Sequence, residues 1–249
     1  MAKRYSVSIV SYTNTLPLRY GINNSNVLDE MDLQLDMPAV CAQKLMDNKV
    51  DIGLIPVAVI PLLKEHHIIS KYCIGSNDKV DTVKLYSHVP LDEIENIYLD
   101  YQSRTSVMLA KVLCKHYWKI SPLYTNAQAG FENTIQGKDA AVVIGDRCFT
   151  LNGTFAYEYD LAFEWKKHTL LPFVFAAWVS NKTIDEEFIT KLESAMQYGI
   201  EHTADAIANE RNSVDKVMIK TYLTERISYD LDEAKKQSMR LFLDLIKQL

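Results

Sequence analysis

Several familiar signatures are missing from this chain. It has eight glycines in 249 residues, and none of them builds a GxGxxG turn, a Walker loop or a GxSxG elbow. Dinucleotide, NTPase and serine-hydrolase chemistries therefore lack their motifs. The four cysteines, Cys41, Cys73, Cys114 and Cys148, form no CxxC pair and sit in apolar stretches, which suits buried reduced thiols. The six histidines show no ligand spacing, and the adjacent His66 and His67 point apart on a helix or a strand. No metal and no cofactor is expected. No Lys/Arg block stands out and the net charge is −5, which argues against a nucleic-acid partner. No run approaches the ~18 apolar residues of a membrane span. Lys3-Arg4 leads directly into a strand, without an export segment. The expectation is a cytoplasmic protein with no membrane partner.

What is present suits an α/β protein. The hydrophobic share of 48% and charged share of 24% are ordinary for a globular chain, long enough for one large domain or two lobes. Tyr5 to Val10 alternates and is β-rich, so it reads as a strand. A polar loop follows, then a short helix opened by Pro17 and closed by Gly21. Met31–Leu35 is extended. Pro38 opens a clear helix to about Asn48. Asp51–Pro56 is a buried strand, Val57–Glu65 is helical despite Pro61, and Ser70–Ile74 is a strand closed by the loop Gly75-Ser76-Asn77-Asp78. Val83–Ser87 is extended, Ile97–Asp100 is a strand, and a helix runs from Ser106 to about Trp118. Pro122–Tyr124, Asp139–Asp146 and Leu171–Val179 are extended, and Phe131–Gln136 is a short helix. From Thr183 the pattern is helical. Thr183 with Glu186, and Asp230 with Glu233, offer capping boxes. Leu241, Phe242, Leu245 and Ile246 form an apolar stripe read as core packing.

This order implies a chain that leaves one lobe and returns to it. Residues 1–86 and 178–249 would form the first lobe and 87–177 the second, with crossings near 83–90 and 172–179. A weak internal echo supports two lobes of similar build. Asn48-Lys49-Val50-Asp51-Ile52-Gly53 and Gly137-Lys138-Asp139-Ala140-Ala141 both place a lysine and an aspartate before an apolar strand. Ligands of such lobes bind beyond the carboxyl ends of the strands.

Four polar segments are candidates. The opening loop, Ser11-Tyr12-Thr13-Asn14-Thr15, is neutral and rich in hydrogen-bonding groups, with no Lys and no acid. Ser103-Arg104-Thr105-Ser106 lies between a strand and a helix. Free N–H groups and the helix dipole suit a carboxylate or phosphate there, and simple N-capping explains the same residues. Ser76-Asn77 is a polar loop or an ordinary turn. Gly145-Asp146 ends a buried strand, where Asp146 orients a ligand hydroxyl or caps the next turn. Phe173, Phe175 and Trp178 read as core.

Taken together, Ser11-Tyr12-Thr13-Asn14-Thr15-Leu16-Pro17-Leu18, Val50-Asp51-Ile52-Gly53-Leu54-Ile55-Pro56, Ser103-Arg104-Thr105-Ser106, Ile144-Gly145-Asp146 and Trp165 through Trp178 resemble the chorismate dehydratases of the futalosine route to menaquinone. The blocks span most of residues 5–180 in order; the helical tail adds little. The resemblance implies an α/β, two-lobed fold of the type II periplasmic-binding-protein kind, with two crossover segments. It also implies a lyase that removes water from chorismate, giving 3-[(1-carboxyvinyl)oxy]benzoate. On that basis Asn14 faces the reacting edge and Asp146 is a candidate base beside the substrate's own enolpyruvyl carboxylate. Ser76, Asn77 and Ser103–Ser106 take the carboxylates, while Ser11, Tyr12, Thr15 and Gly145 complete the substrate contacts. The chain is compatible with a homodimer, although no sequence feature specifies one. Two alternatives share the fold. One is a non-catalytic solute-binding protein for a small carboxylate. The other is the related enzyme that cleaves cyclic dehypoxanthine futalosine, whose opening loop has a Pro-Asn-Asp character this chain lacks.

Overall fold

The computed structural model describes residues 4–210 and 215–249. Its strands, among the described residues, are β1 (Tyr5–Val10), β2 (Met31–Asp36), β3 (Ile52–Pro56), β4 (His67–Ser76), β5 (Val83–Ser87), β6 (Asn96–Leu99), β7 (Leu123–Asn126), β8 (Asp139–Ile144), β9 (Tyr157–Asp160), β10 (Phe173–Ser180) and β11 (Ser228–Asp230). They form a six-stranded sheet, β11-β4-β10-β3-β1-β2, and a five-stranded sheet, β7-β6-β8-β5-β9.

The two sheets follow one scheme. In the first, β1 runs parallel to β2 and β3, while β10 lies antiparallel to β3 and β4. In the second, β6 runs parallel to β7 and β8, while β5 lies antiparallel to β8 and β9. In each sheet the strand that arrives from the other sheet, β10 or β5, runs antiparallel to both of its neighbours; β11, at the edge of the first sheet, is also antiparallel to β4. The internal echo has a structural meaning, because β3 and β8 hold the same place in their sheets. Both are apolar throughout after the first residue, as strands covered on both faces must be, and only Asp139 in β8 is half-exposed.

The helices are α1 (Leu16–Asn23), α2 (Pro38–Met46), α3 (Thr105–Val112), α4 (Arg147–Leu151), α5 (Leu161–Thr169), α6 (Glu186–Glu201), α7 (Thr203–Asn209), α8 (Lys216–Thr221) and α9 (Glu233–Ile246). In α5, β10 and α9, the aromatic rings of Trp165, Phe173 and Phe242 meet edge to face with centroids 5.0–6.0 Å apart. This ties the C-terminal helix into the core, and truncating any of the three would cost about 3–5 kcal/mol.

Several expectations are corrected. Residues 83–90 and 172–179 are not crossings for most of their length: β5 and β10 are fully paired strands, and β5 belongs to the second sheet. The chain changes sheets at 77–82 and 170–172, the short stretches that pair with neither sheet. Gly21 does not end α1. It lies inside the helix where α6 crosses, and a Cβ there would stand 1.9 Å from the Ala195 carbonyl oxygen. Its small size is needed for the approach, not for a cap. Residues 57–62 make a 3-10 turn holding Pro61, since proline cannot donate to a regular helix. Gly75 and Ser76 are the end of β4 rather than a loop. Neither capping box forms as expected. The residue before α6 is Asp185, whose carboxylate accepts the Tyr5 hydroxyl. The cap of α9 is Asp232, which accepts from the Lys235 N–H at 2.8 Å.

Candidate active site

The carboxyl ends of β1, β3 and β8 converge on one pocket, bordered by Val10, Pro56, Ile144 and Gly145. It encloses about 540 Å³ of empty space, part of it open to solvent. Ile74 of β4 and Phe175 of β10 complete an apolar floor. The polar groups come from the loops that follow β1 and β6 and from Thr82, on the crossing into β5.

The loop after β1 is a 3-10 turn, Thr13–Thr15, that runs directly into α1. Its conformation is fixed from within and from across the cleft. Thr15 Oγ1 lies 2.6 Å from the Val10 carbonyl and 2.9 Å from that of Tyr12, to which it donates in turn. The Thr13 N–H donates to both oxygens of Asp146, at 3.2 and 3.3 Å. The Tyr12 hydroxyl donates to Gln102 Oε1 in the loop after β6. Gly145 passes under the Tyr12 ring at φ +71°, and a Cβ there would meet ring carbons at 2.7–2.9 Å. Only glycine combines that backbone conformation with so close a neighbour.

Asn14 is left facing the pocket. Its main-chain carbonyl accepts from the Tyr229 hydroxyl at 2.9 Å. Its side-chain Oδ1 is buried and has no hydrogen-bond partner among the described residues. Buried amide oxygens are normally satisfied, and an orphan in a pocket wall points to a ligand group that would satisfy it.

The loop after β6 ends at the N-terminus of α3. Ser103 Oγ accepts from the Ser106 N–H at 3.1 Å, so Ser103 serves as the cap. Thr105 Oγ1 donates to the Phe175 carbonyl at 2.9 Å and accepts from the Ala58 N–H at 3.3 Å, bracing α3 against the first sheet. Arg104 is different. Among the described residues its guanidinium donates only to the carbonyls of Ser103 and Tyr101, at 2.9 and 3.4 Å. It borders the pocket, is exposed, and meets no carboxylate among the described residues.

Two carboxylates stand behind these loops. Asp100 is buried and accepts from the N–H groups of Gln102 and Ile144 at 3.0 and 2.9 Å. It also pairs with Arg147, which reaches Glu132 as well. Burial pushes the Asp100 carboxyl up against the pull of Arg147 and those N–H groups. Burial likewise raises the Asp146 carboxyl, opposed by the Thr13 hydrogen bonds and by Arg19. The Tyr12 hydroxyl is held well above its ordinary value by burial and then by Asp100.

Of the residues singled out from the sequence, Tyr12, Asn14, Ser103, Arg104, Thr105, Ser106 and Gly145 border the pocket together. Asp146 lies directly behind Thr13. Ser11 turns outward to the Met37 sulfur at 3.9 Å. Thr15 is occupied within its own turn. Ser76 and Asn77 are not brought to the pocket. The buried Ser76 hydroxyl donates to the Asp78 and Lys79 carbonyls at 3.1 and 2.8 Å, closing the turn after β4. Asn77 is exposed and accepts from Lys166 through its main chain at 2.8 Å. Phe175, read as core, borders the pocket, unlike Phe173 and Trp178. Thr82, Gln102, Arg147, Tyr222 and Tyr229 went unrecognised. Gln102 adjoins a segment already singled out, but the two tail tyrosines carry no local signal. Among the described residues no group of His, Cys, Asp and Glu could hold a metal ion, and no helix is long and apolar enough to cross a membrane.

The sheet order and the pocket at the strand ends define a two-lobed, type II periplasmic-binding-protein-like fold with two crossover segments. Solved structures carry the same fold. A protein of Archaeoglobus fulgidus superimposes with a TM-score of 0.76 at 14% identity, covering 98% of this chain and 97% of its own. The alkanesulfonate-binding protein of Xanthomonas axonopodis pv. citri superimposes at 0.64 and 15% identity, covering 100% and 93%. Within that fold the chain belongs to the menaquinone biosynthesis family, whose family model matches residues 5–248. The chorismate dehydratase of Thermus thermophilus is a relative, 23% identical over 97% of this chain and 95% of its own length.

Proposed function

We propose that this chain is a chorismate dehydratase, a hydro-lyase that converts chorismate to 3-[(1-carboxyvinyl)oxy]benzoate and water. The observation that carries the reading is Asn14 Oδ1, a polar atom unpartnered among the described residues, in the wall of a pocket that the Arg104 cation also borders. Family membership and the dehydratase relative support it.

The substrate has two carboxylates, a hydroxyl at C4 and a hydrogen at C3. Loss of the C3 proton and the C4 hydroxyl makes the ring aromatic, so the driving force lies in the substrate. The protein must hold one conformer and direct two departures, and positioning supplies much of that barrier reduction. Arg104 and the N–H groups opening α3 take a carboxylate. Ser106 adds its hydroxyl, which makes no intramolecular hydrogen bond among the described residues and borders the pocket. The apolar floor holds the ring. Asn14 Oδ1 accepts from the C4 hydroxyl and fixes the direction in which it leaves. An amide is too weak a base for the C3 proton. That proton goes to the substrate's enolpyruvyl carboxylate, which hands it on to the departing C4 hydroxyl so that water leaves, and Asp146 is the protein carboxylate to test against it.

The test is incubation of the protein with chorismate, followed by absorbance and by NMR of the product. Appearance of the aromatic benzoate is expected. Tight binding of chorismate that stays chemically unchanged would make the protein a solute binder and sink the reading.

A further inference from the structure

The turn that carries Asn14 has its carbonyls closed one by one, and one of them is closed from the far end of the chain. Thr15 Oγ1 donates to the Val10 and Tyr12 carbonyls, and the Leu16 N–H to that of Thr13. The next carbonyl, that of Asn14, would accept from residue 17 if the 3-10 pattern ran on. Residue 17 is a proline, which has no N–H to give. The donor is instead the Tyr229 hydroxyl, at 2.9 Å. Tyr229 is buried and does not itself border the pocket.

The support behind that hydroxyl is built as well. Tyr229 lies in β11, a strand of three residues at the edge of the first sheet. So short a strand gains few ladder bonds, and other contacts fix it. The Leu231 N–H donates to the Lys71 carbonyl at 2.7 Å. The fully buried Lys235 of α9 donates through Nζ to the Ser228 hydroxyl at 2.8 Å. Gly75, the partner of Ser228 in β4, leaves room for that side chain: a Cβ there would stand 3.1 Å from Lys235 Cε. The reacting turn is thus clamped from two directions, by Asp146 on the Thr13 N–H and by Tyr229 on the Asn14 carbonyl.

We propose that Tyr229 is a positioning residue for Asn14. By holding the main-chain carbonyl it fixes the plane of the peptide between Asn14 and Thr15, and with it the place at which the Asn14 side chain enters the pocket. Without the hydroxyl, this buried carbonyl loses a donor that the proline cannot replace, and the peptide is free to turn toward another. The inference rests on the dehydratase reading for its kinetic consequence, but not for its structural one.

The variant is Tyr229→Phe, which keeps the buried ring. A buried tyrosine remote from the pocket, Tyr86, supplies the control Tyr86→Phe; its hydroxyl lies 3.5 Å from the Cys148 carbonyl. In chorismate turnover, Tyr229→Phe should lower kcat roughly tenfold while KM stays within about twofold, the pattern of an interaction needed chiefly in the transition state. In an Asn14→Ala background it should cost less than about twofold more, because Tyr229 acts through that side chain. Tyr86→Phe should change neither constant. Unchanged kcat in Tyr229→Phe, or full additivity with Asn14→Ala, would overturn the proposal. A second readout needs no turnover. The sequence contains two Asn-Thr peptides, Asn14-Thr15 and Asn133-Thr134. Labelling asparagine carbonyls with 13C and threonine nitrogens with 15N therefore isolates two carbonyl signals, and the one lost in Asn14→Ala belongs to residue 14. Loss of the hydrogen bond should move that signal upfield in Tyr229→Phe and leave the Asn133 signal in place; Tyr86→Phe should move neither. If chorismate is not consumed but the Asn14 signal moves alone, the dehydratase reading fails and the hold of Tyr229 on the turn stands. An Asn14 signal that stays in place would overturn the proposal whatever the substrate.

Discussion

The loops after β1 and β6 occupy the same place in their sheets, each leaving the second strand of the order and entering a helix. They are used differently. The loop after β1 ties up the Thr13 N–H and the Thr15 hydroxyl and leaves a neutral amide oxygen in the pocket. The loop after β6 ties up Ser103 and Thr105 and leaves a guanidinium. Each is braced by the other half of the molecule, through Thr13 to Asp146 and through Gln102 to Tyr12. The same backbone position therefore delivers a hydrogen-bond acceptor from one side of the cleft and a positive charge from the other. That division suits a substrate with a reacting hydroxyl at one edge and carboxylates elsewhere.

Removing the amide should damage the chemical step far more than binding. Asn14→Ala is expected to lower kcat by about a hundredfold or more, as loss of a positioned polar group at a reacting centre does. Thermal unfolding should move little, because the main-chain carbonyl of residue 14 still accepts from Tyr229. Near-normal kcat/KM in this variant would remove Asn14 from the mechanism and collapse the contrast between the loops.

Removing the charge should do the reverse. Arg104→Ala is expected to raise KM about tenfold with kcat nearly kept, the signature of binding lost equally in ground and transition states. Arg104→Lys should recover part of it, since lysine supplies a point charge without the bidentate fork. Steady-state kinetics on both variants check this. A fall in kcat with KM unchanged would assign Arg104 to the reacting edge instead.

Much of this arrangement is legible in the sequence because it rests on local rules. A β-rich run, a proline at the first turn and a polar loop between them locate Asn14. A strand followed by Ser-Arg-Thr-Ser locates the start of α3. Even the echo between Asp51 and Asp139 marks equivalent strands. What escaped reading depends on distant partners. Ser76 and Asn77 looked like Ser103 and Arg104 in composition, but β4 runs two residues further than expected and turns the serine onto its own turn. Gly21 looks like a helix end until α6 is laid across it. Tyr229 lies more than two hundred residues from Asn14, whose carbonyl it holds, and has no spacing that could announce it. Hydrogen bonds within a turn are readable from order; those that close a cleft are readable only from topology.

A smaller effect is expected where the halves touch. Gly145→Ala puts a methyl group against the Tyr12 ring at a backbone conformation alanine avoids. A loss of about 1–3 kcal/mol of stability should follow. Tyr12 must also shift from Gln102, so activity should fall together with the melting temperature. Calorimetry and turnover on one preparation decide it. A stable variant with full activity would mean that the Tyr12 contact does not set the geometry of the reacting loop.

The least effect separates the two echoed aspartates. Asp51 accepts from the Ser6 N–H at 2.9 Å and pairs with Lys182. Burial works against its ionised form, but Lys182 and Ser6 outweigh it, so its carboxyl lies below the ordinary range. Among the described residues the Asp139 carboxylate has one long hydrogen bond, from Asn96 Nδ2 at 3.3 Å. A carboxyl whose folded pKa is depressed stabilises the protein above its unfolded pKa of about 3.9, and that stabilisation is lost as the pH falls through the folded value. Asp51→Asn should therefore cost about 1 kcal/mol at neutral pH, and the gap to wild type should close below about pH 4. Asp139→Asn should stay within about 0.5 kcal/mol throughout. Urea unfolding of both variants at pH 7 and at pH 3.5 measures the difference. Equal losses for the two would show that the echo extends from position to energetics, and that Lys182 adds nothing to the first sheet that the second lacks.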